Sequence, residues 1–180
     1  MAVMKVITKN APDSGYTDKY KDMDSYSSVI RYVLDPAKTE GCVGGWGVNP
    51  YFAADEMELV TRLCHKETGV KLRHWVFSFM VDEISALTRQ CMCGGPEILR
   101  TIAYQLTGCY RGQYQIVFGV HWKDEPCPHI HIVMNTTSYW DGAKFDGNRE
   151  QYSGYINYAR SVLSRFHMSL IVMKDSAETK

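Results

Sequence analysis

The sequence predicts an α+β fold, a central antiparallel sheet of about five strands with helices packed on one face. Three observations carry this. Short runs of alternating or continuous apolar character recur at Val3–Thr8, Lys71–Met80, Gln115–Val120, His129–Val133 and Leu170–Met173. Longer stretches with apolar residues at helical spacing stand between them. Two of the strands, Gln115–Val120 and His129–Val133, follow one another with no helix between, the arrangement of an antiparallel hairpin.

Val3–Thr8 alternates and opens the chain as a strand. Asn10–Asp24 is polar and rich in Tyr and Asp, which reads as a loop. Ser25–Leu34 reads as a helix, with Asp24 or Ser25 as N-cap and Pro36 just past its end. Gly41–Asn49 is glycine-rich and is expected to be irregular. Ala53–Glu67 places Met57, Val60, Leu63 and Cys64 on one helical face. In Lys71–Met80, Leu72, Trp75, Phe77 and Phe79 carry the strand pattern. Ile84–Leu106 is helical but broken at Gly94-Gly95-Pro96, because proline lacks the amide proton and clashes with the preceding turn. After the hairpin, Asn148–His167 is a long helix and Leu170–Met173 a last strand. There are no repeats and no interdomain linker, so residues 1–180 are expected to form one domain with a sizeable core.

Composition narrows the function classes. No apolar run approaches a membrane span, and Met1-Ala2-Val3-Met4-Lys5 lacks the apolar core of a signal peptide, so no membrane insertion is expected. The six cysteines are scattered, and Cys91 and Cys93 stand too close for a disulfide framework, so reduced thiols are expected. Net charge is zero, which argues against bulk, sequence-blind binding of duplex nucleic acid. Local basic clusters at Lys66, Lys71 and Arg73, and at Arg149, Arg160 and Arg165, read mainly as solvated faces.

The strongest chemical signal is His129-Ile130-His131-Ile132-Val133. Side chains alternate across a strand, so Ile130 and Ile132 face the core and the two imidazoles share the other face. His121 ends the preceding run and, in a hairpin, comes opposite them. Three polar positions on an exposed sheet face are the plain alternative. Three convergent imidazoles instead make a site with open positions for a borderline divalent cation such as Mn²⁺, Zn²⁺, Co²⁺ or Ni²⁺; Mg²⁺ prefers oxygen but is abundant, and Mn²⁺ or Mg²⁺ is the expected cellular ion. Such a site needs a nucleophile. Water would make the protein a simple hydrolase. The sequence also carries twelve tyrosines, and a phenol with a pKa near 10 attacks only where charge is stabilised beside it.

Here the chain resembles a known family. Ile30-Arg31-Tyr32-Val33-Leu34, followed by Lys38-Thr39, resembles the first motif of plasmid-mobilisation relaxases. His74-Trp75-Val76-Phe77-Ser78-Phe79 resembles their second motif, a strand ending in Ser-Phe. His121 to Asn135, with Asp124 and His129-Ile130-His131, resembles their third, the histidine–hydrophobe–histidine (HUH) metal motif. The three stand in the family's order. The resemblance implies an HUH endonuclease-like fold and a metal-dependent, strand-specific DNA transesterase. Such an enzyme nicks single-stranded or extruded origin-of-transfer DNA through a 5′-phosphotyrosyl intermediate and can rejoin it.

Residue by residue, the resemblance implies Tyr32 as nucleophile and His121, His129 and His131 as metal ligands. Ser78, Lys38, Thr39 and Arg31 would contact DNA, with His74, Lys38 and Thr39 the weaker carry-overs. The family often spaces its third motif His-x-Asp, whereas Asp124 stands three residues after His121. Asp124, or alternatively Glu125, would be the carboxylate that orients a ligand. The resemblance further implies accessory relaxosome proteins, a secretion-system coupling protein, the bacterial cytoplasm, and a chain that can be the N-terminal part of a longer protein.

Two other readings remain open in the sequence. HUH replication initiators and single-strand transposases place the tyrosine on a helix after the histidine pair, where this chain has Tyr152, Tyr155 and Tyr158. A non-catalytic DNA-binding accessory module is the reading from a different class. Aromatics such as Tyr51, Phe52, Tyr139 and Trp140 could stack on bases in any of these, with core or surface packing the plainer role for any one of them.

Overall fold

A computed structural model describes residues 1–7, 20–122 and 125–173. The predicted loop at 10–24 therefore lies mostly outside the described residues. The strands are β1 (Ala2–Ile7), β2 (Val43–Trp46), β3 (Leu72–Ser78), β4 (Tyr114–His121), β5 (His129–Ser138) and β6 (Leu170–Met173). The helices are α1 (Ser25–Val33), α2 (Pro36–Thr39), α3 (Ala53–Leu63), α4 (Val81–Cys91), α5 (Gly95–Leu106) and α6 (Arg149–Ser164). Pro96 falls in the first turn of α5, where its missing amide proton has no role, so the predicted break becomes a helix start. An Asn148–Gln151 capping box starts α6. Among the described residues no helix is long and apolar enough to cross a membrane.

The sheet has six strands in the order β2-β4-β5-β3-β1-β6. All neighbours are antiparallel except β1 and β6, which run parallel. The expected α+β fold is present, with six strands in place of about five and one parallel pair among antiparallel ones. β6 returns after α6 to lie parallel to β1. The strand that the sequence hid is β2, in a segment expected to be irregular. Its glycines are there for closeness. A Cβ at Gly44 would lie 2.4 Å from the Phe118 ring and 2.7 Å from the Tyr104 hydroxyl.

Helices lie on both faces, which corrects the expectation of one covered face. One side of the sheet presents Trp75, Phe77, Phe118, Val120, Ile130, Ile132 and Met134 to α4, α5 and α6. The other side carries a smaller cluster, in which Leu72, Val117 and Val133 meet Tyr26, Val29, Ile30 and Val33 of α1 and Met57 of α3. The reason is local. Apolar β-positions flank the histidines, and α1 and α3 each have an apolar stripe that must be covered. A buried polar seam fixes these helices to β5. Tyr26 Oη lies 2.6 Å from Thr61 Oγ1 and donates to Asn135 Oδ1 at 3.2 Å, while Asn135 Nδ2 donates to the Met57 carbonyl at 3.0 Å. With every member bonded, such a seam specifies one docking geometry.

Candidate metal and nucleophile site

Pairing register brings the histidines together. His121 on β4 is directly opposite His129 on β5, and Gly119 is opposite His131. All three rings project from the face covered by α1 and α3. Their ligand atoms lie within 4.8 Å of one another. His121 and His131 are buried and His129 is half-buried.

Each ring has one nitrogen engaged behind the site. His121 Nε2 donates to the Val33 carbonyl (3.0 Å) and His129 Nδ1 to the Cys127 carbonyl (2.9 Å), because a carbonyl can only accept. His131 Nδ1 meets Nε2 of His74 at 2.8 Å. Among the described residues, the remaining nitrogens of the two buried rings, His121 Nδ1 and His131 Nε2, have no hydrogen-bond partner. Two buried, unpartnered imidazole nitrogens beside a third ring fit a divalent cation of borderline softness.

Electrostatics agree. Burial holds His121 below its ordinary value, against an opposing hydrogen bond from Val33. Burial, and then the positive charge that His74, His121, His129 and Lys38 would present, push His131 down to about 2. Both rings are neutral at physiological pH, the form that ligates. Val33 is the last residue of α1, so the negative end of the helix dipole also points at this cluster.

The same helix end delivers the tyrosine. Tyr26, Val29, Ile30 and Val33 bury one stripe of α1, and Tyr32 falls off it, about half exposed at the rim. Its ring stands edge-on to His121 (centroids 5.4 Å apart) and to His131 (5.3 Å). Approach this close requires Gly119. A Cβ there would lie 2.0 Å from the Val33 carbonyl oxygen and 3.2 Å from Thr39 Cγ2.

The other predicted positions divide. Lys38 Nζ lies 5.0 Å from the Tyr32 ring centroid and 3.7 Å from Glu125 Oε1. Ser78, half-buried at the end of β3, pairs with His129. Arg31 is exposed and lines an open groove of about 430 Å³ with Ile30, Leu34, Tyr51 and Phe52. Tyr51 and Phe52 are 85% and 59% exposed, so their rings are available to a ligand. Thr39 is buried, and its hydroxyl donates to the carbonyl of Asp35, the N-cap of α2, so it packs rather than faces outward. Lys71, placed by the sequence in a solvated basic cluster, is buried and donates to the carbonyls of Lys21 and Gly69. Asp124 lies outside the described residues.

The late tyrosines sit elsewhere. Tyr155 is buried on the opposite face of the sheet against Trp75 and Tyr110. Burial raises its phenol well above the ordinary value. Tyr152 and Tyr158 pack against the same cluster. They stand on the face of the sheet opposite the one that α1 and the histidines share, which weighs against an initiator-like nucleophile on α6.

Sequence reasoning missed three participants. The Val33 and Cys127 carbonyls leave no side-chain signal. Tyr20, whose hydroxyl lies 3.0 Å from His74 Nδ1, was hidden in a polar stretch.

Comparison with known proteins points one way. The family model described as the relaxase, MobA/VirD2-like nuclease domain, matches residues 32–167. Protein rlx of Staphylococcus aureus is 27% identical over 135 residues, covering 75% of this chain and 38% of that protein. The chain therefore spans well under half the length of that relative.

Proposed function

The chain belongs to the relaxase family, as a MobA/VirD2-like nuclease domain, and from that premise we propose that it nicks and rejoins one strand of origin-of-transfer DNA with Tyr32 as nucleophile. The observation that carries this is the half-exposed Tyr32 ring held edge-on to two ligand-competent histidines. Tyr20 is the nearest rival phenol. Burial, and then repulsion from Tyr32, push it up to about 12, so it remains a hydrogen-bonding phenol.

A divalent cation on His121, His129 and His131, Mn²⁺ or Mg²⁺, would supply polarisation of the phosphoryl oxygen. The chain's own groups do the rest. The Tyr32 Oη–phosphorus bond forms as the bond to the 3′ oxygen breaks. The phenol loses its proton and the departing oxygen gains one. Lys38 sets a positive charge beside the ring where negative charge develops. The 5′-phosphotyrosyl ester conserves the energy of the broken bond, so the freed 3′-hydroxyl can attack it and rejoin the strand. Arg31, with Tyr51 and Phe52, offers charge and stacking surface for the unpaired strand, and Ser78 stands beside His129 to contact it. In this reading the domain is the catalytic part of a conjugation or mobilisation system. It would work with accessory relaxosome proteins and a secretion-system coupling protein.

The test uses single-stranded DNA from the element that carries the chain. With Mn²⁺ the wild type is expected to give a covalent protein–DNA adduct, absent after chelation and absent in Tyr32→Phe. Tight, specific binding with no cleavage by the wild type would instead identify an accessory binding module.

A further inference from the structure

His74 is on β3, opposite Val133 and two residues from the position opposite His131. Its two ring nitrogens are both engaged: Nε2 with His131 Nδ1 at 2.8 Å and Nδ1 with the Tyr20 hydroxyl at 3.0 Å. His74 itself is buried. Tyr20 is built in place. Its backbone has φ of 68°, its carbonyl accepts from the Lys71 amide at 2.7 Å, and the buried Lys71 ammonium donates to the next carbonyl, Lys21, at 2.7 Å. A non-glycine residue in the left-handed region persists only where its surroundings hold it.

The ligand histidines differ in what stands behind them. Val33 and Cys127 offer carbonyls to His121 and His129, and a carbonyl admits one tautomer. His131 has an imidazole behind it, which can donate or accept. Its tautomer is therefore decided one residue further out.

We propose that His74, backed by Tyr20, is a positioning residue that holds His131 in the tautomer presenting a bare Nε2 to the cation. The inference rests on the metal reading of the site. With Nε2 bare, the neutral His131 carries its proton on Nδ1 and donates it to His74 Nε2. His74 then carries its own proton on Nδ1 and donates to the Tyr20 oxygen. The chain of bonds acquires a single direction, running outward from the site. Partners behind metal-bound histidines typically contribute about 10–100-fold in metal affinity.

The experiment compares the whole chain with His74→Phe, which keeps volume but cannot accept, His74→Gln, whose amide oxygen can accept in the place of Nε2, and Tyr20→Phe. Two readouts are taken: Mn²⁺ affinity by titration, and long-range ¹H–¹⁵N spectra of ¹⁵N-histidine protein, metal-free and with diamagnetic Zn²⁺. Expected results are affinity about 10–100-fold lower in His74→Phe, largely restored in His74→Gln, and lower by a smaller factor in Tyr20→Phe. In the Zn²⁺ spectra His74 should be the Nδ1–H tautomer. Wild-type affinity in a folded His74→Phe, or a Zn²⁺-bound His74 protonated on Nε2, overturns the proposal. If His74→Phe does not fold, the His74 tautomer in wild type and the Tyr20→Phe affinity decide instead. If the wild type binds no metal, the metal reading fails by itself. The metal-free spectra then decide the positioning role, with two exchanging His131 tautomers in His74→Phe against one in wild type supporting it and identical spectra opposing it.

Discussion

Gly119→Ala adds one methyl group on the strand opposite His131 and turns the packing account into numbers. The new Cβ would lie 2.0 Å from the Val33 carbonyl oxygen, where contacts under 3.0 Å are essentially never found. The carbonyl must retreat by about 1 Å, and by somewhat more for an ordinary contact. It cannot do so alone. It is backbone, it accepts from His121, and it directly follows Tyr32, the proposed nucleophile. Thr39 Cγ2, 3.2 Å away, closes a second direction of relief. Overpacking of this kind costs about 1–3 kcal/mol, a fall of roughly 2–4 °C in melting temperature for each kcal/mol in a chain this long. A misplacement of about 1 Å at a nucleophile lowers rate by about 10²-fold. The assay is single-turnover adduct formation at saturating single-stranded DNA and Mn²⁺, with thermal unfolding in the same buffer to separate lost geometry from lost fold. The reasoning is refuted if Gly119→Ala forms adduct within about threefold of the wild-type rate, because Tyr32 would then tolerate a displacement that the packing says it cannot.

Two further outcomes follow from groups already described. Tyr155 Oη is buried on the far face of the sheet and has no hydrogen-bond partner among the described residues. Tyr155→Phe should therefore leave adduct formation unchanged and stability equal or higher by up to about 1 kcal/mol, as urea unfolding would read; a large loss of adduct would return α6 to the chemistry. The metal-free protein should also lose stability on acidification. An unfolded His131 takes up its proton near 6.5, whereas the folded ring resists until about 2. The unfolded state thus binds more protons between those values, so stability is full above about 6.5 and falls as pH drops below it, by up to about 1.4 kcal/mol per pH unit for each such proton. Unfolding in chelator at pH 7.5 and at pH 5 measures this, and equal stability at the two would contradict the buried, neutral assignment.

The histidine cluster was legible in the sequence because a strand's period of two fixes which side chains share a face, and a short connection fixes the antiparallel partner. His121 opposite His129 needed nothing more. The placement of α1 over that face was not legible. The spacing of Tyr26, Val29, Ile30 and Val33 says that a stripe must be buried, but not against which side of the sheet. Val117 and Val133 decide it, and only once β4 and β5 are paired. β2 was hidden because Gly44-Gly45 carries no strand propensity. These glycines answer to the Phe118 ring and to the backbone of β4, contacts distant in sequence. His74 shares the parity of Ser78 along β3, which was readable. Its contact with His131 depends on the β3–β5 register, which was not. Tyr20 reaches the site through backbone held by Lys71, an arrangement with no local signature.

The most direct test of the central claim is to map the covalent adduct. The chain is incubated with its own origin strand and Mn²⁺, digested, and the DNA-bearing peptide identified by mass spectrometry. The account predicts a nucleotide on Tyr32, formed only with metal. A nucleotide on Tyr20, Tyr152, Tyr155 or Tyr158, or equal yield on Tyr32 in chelator, would contradict it.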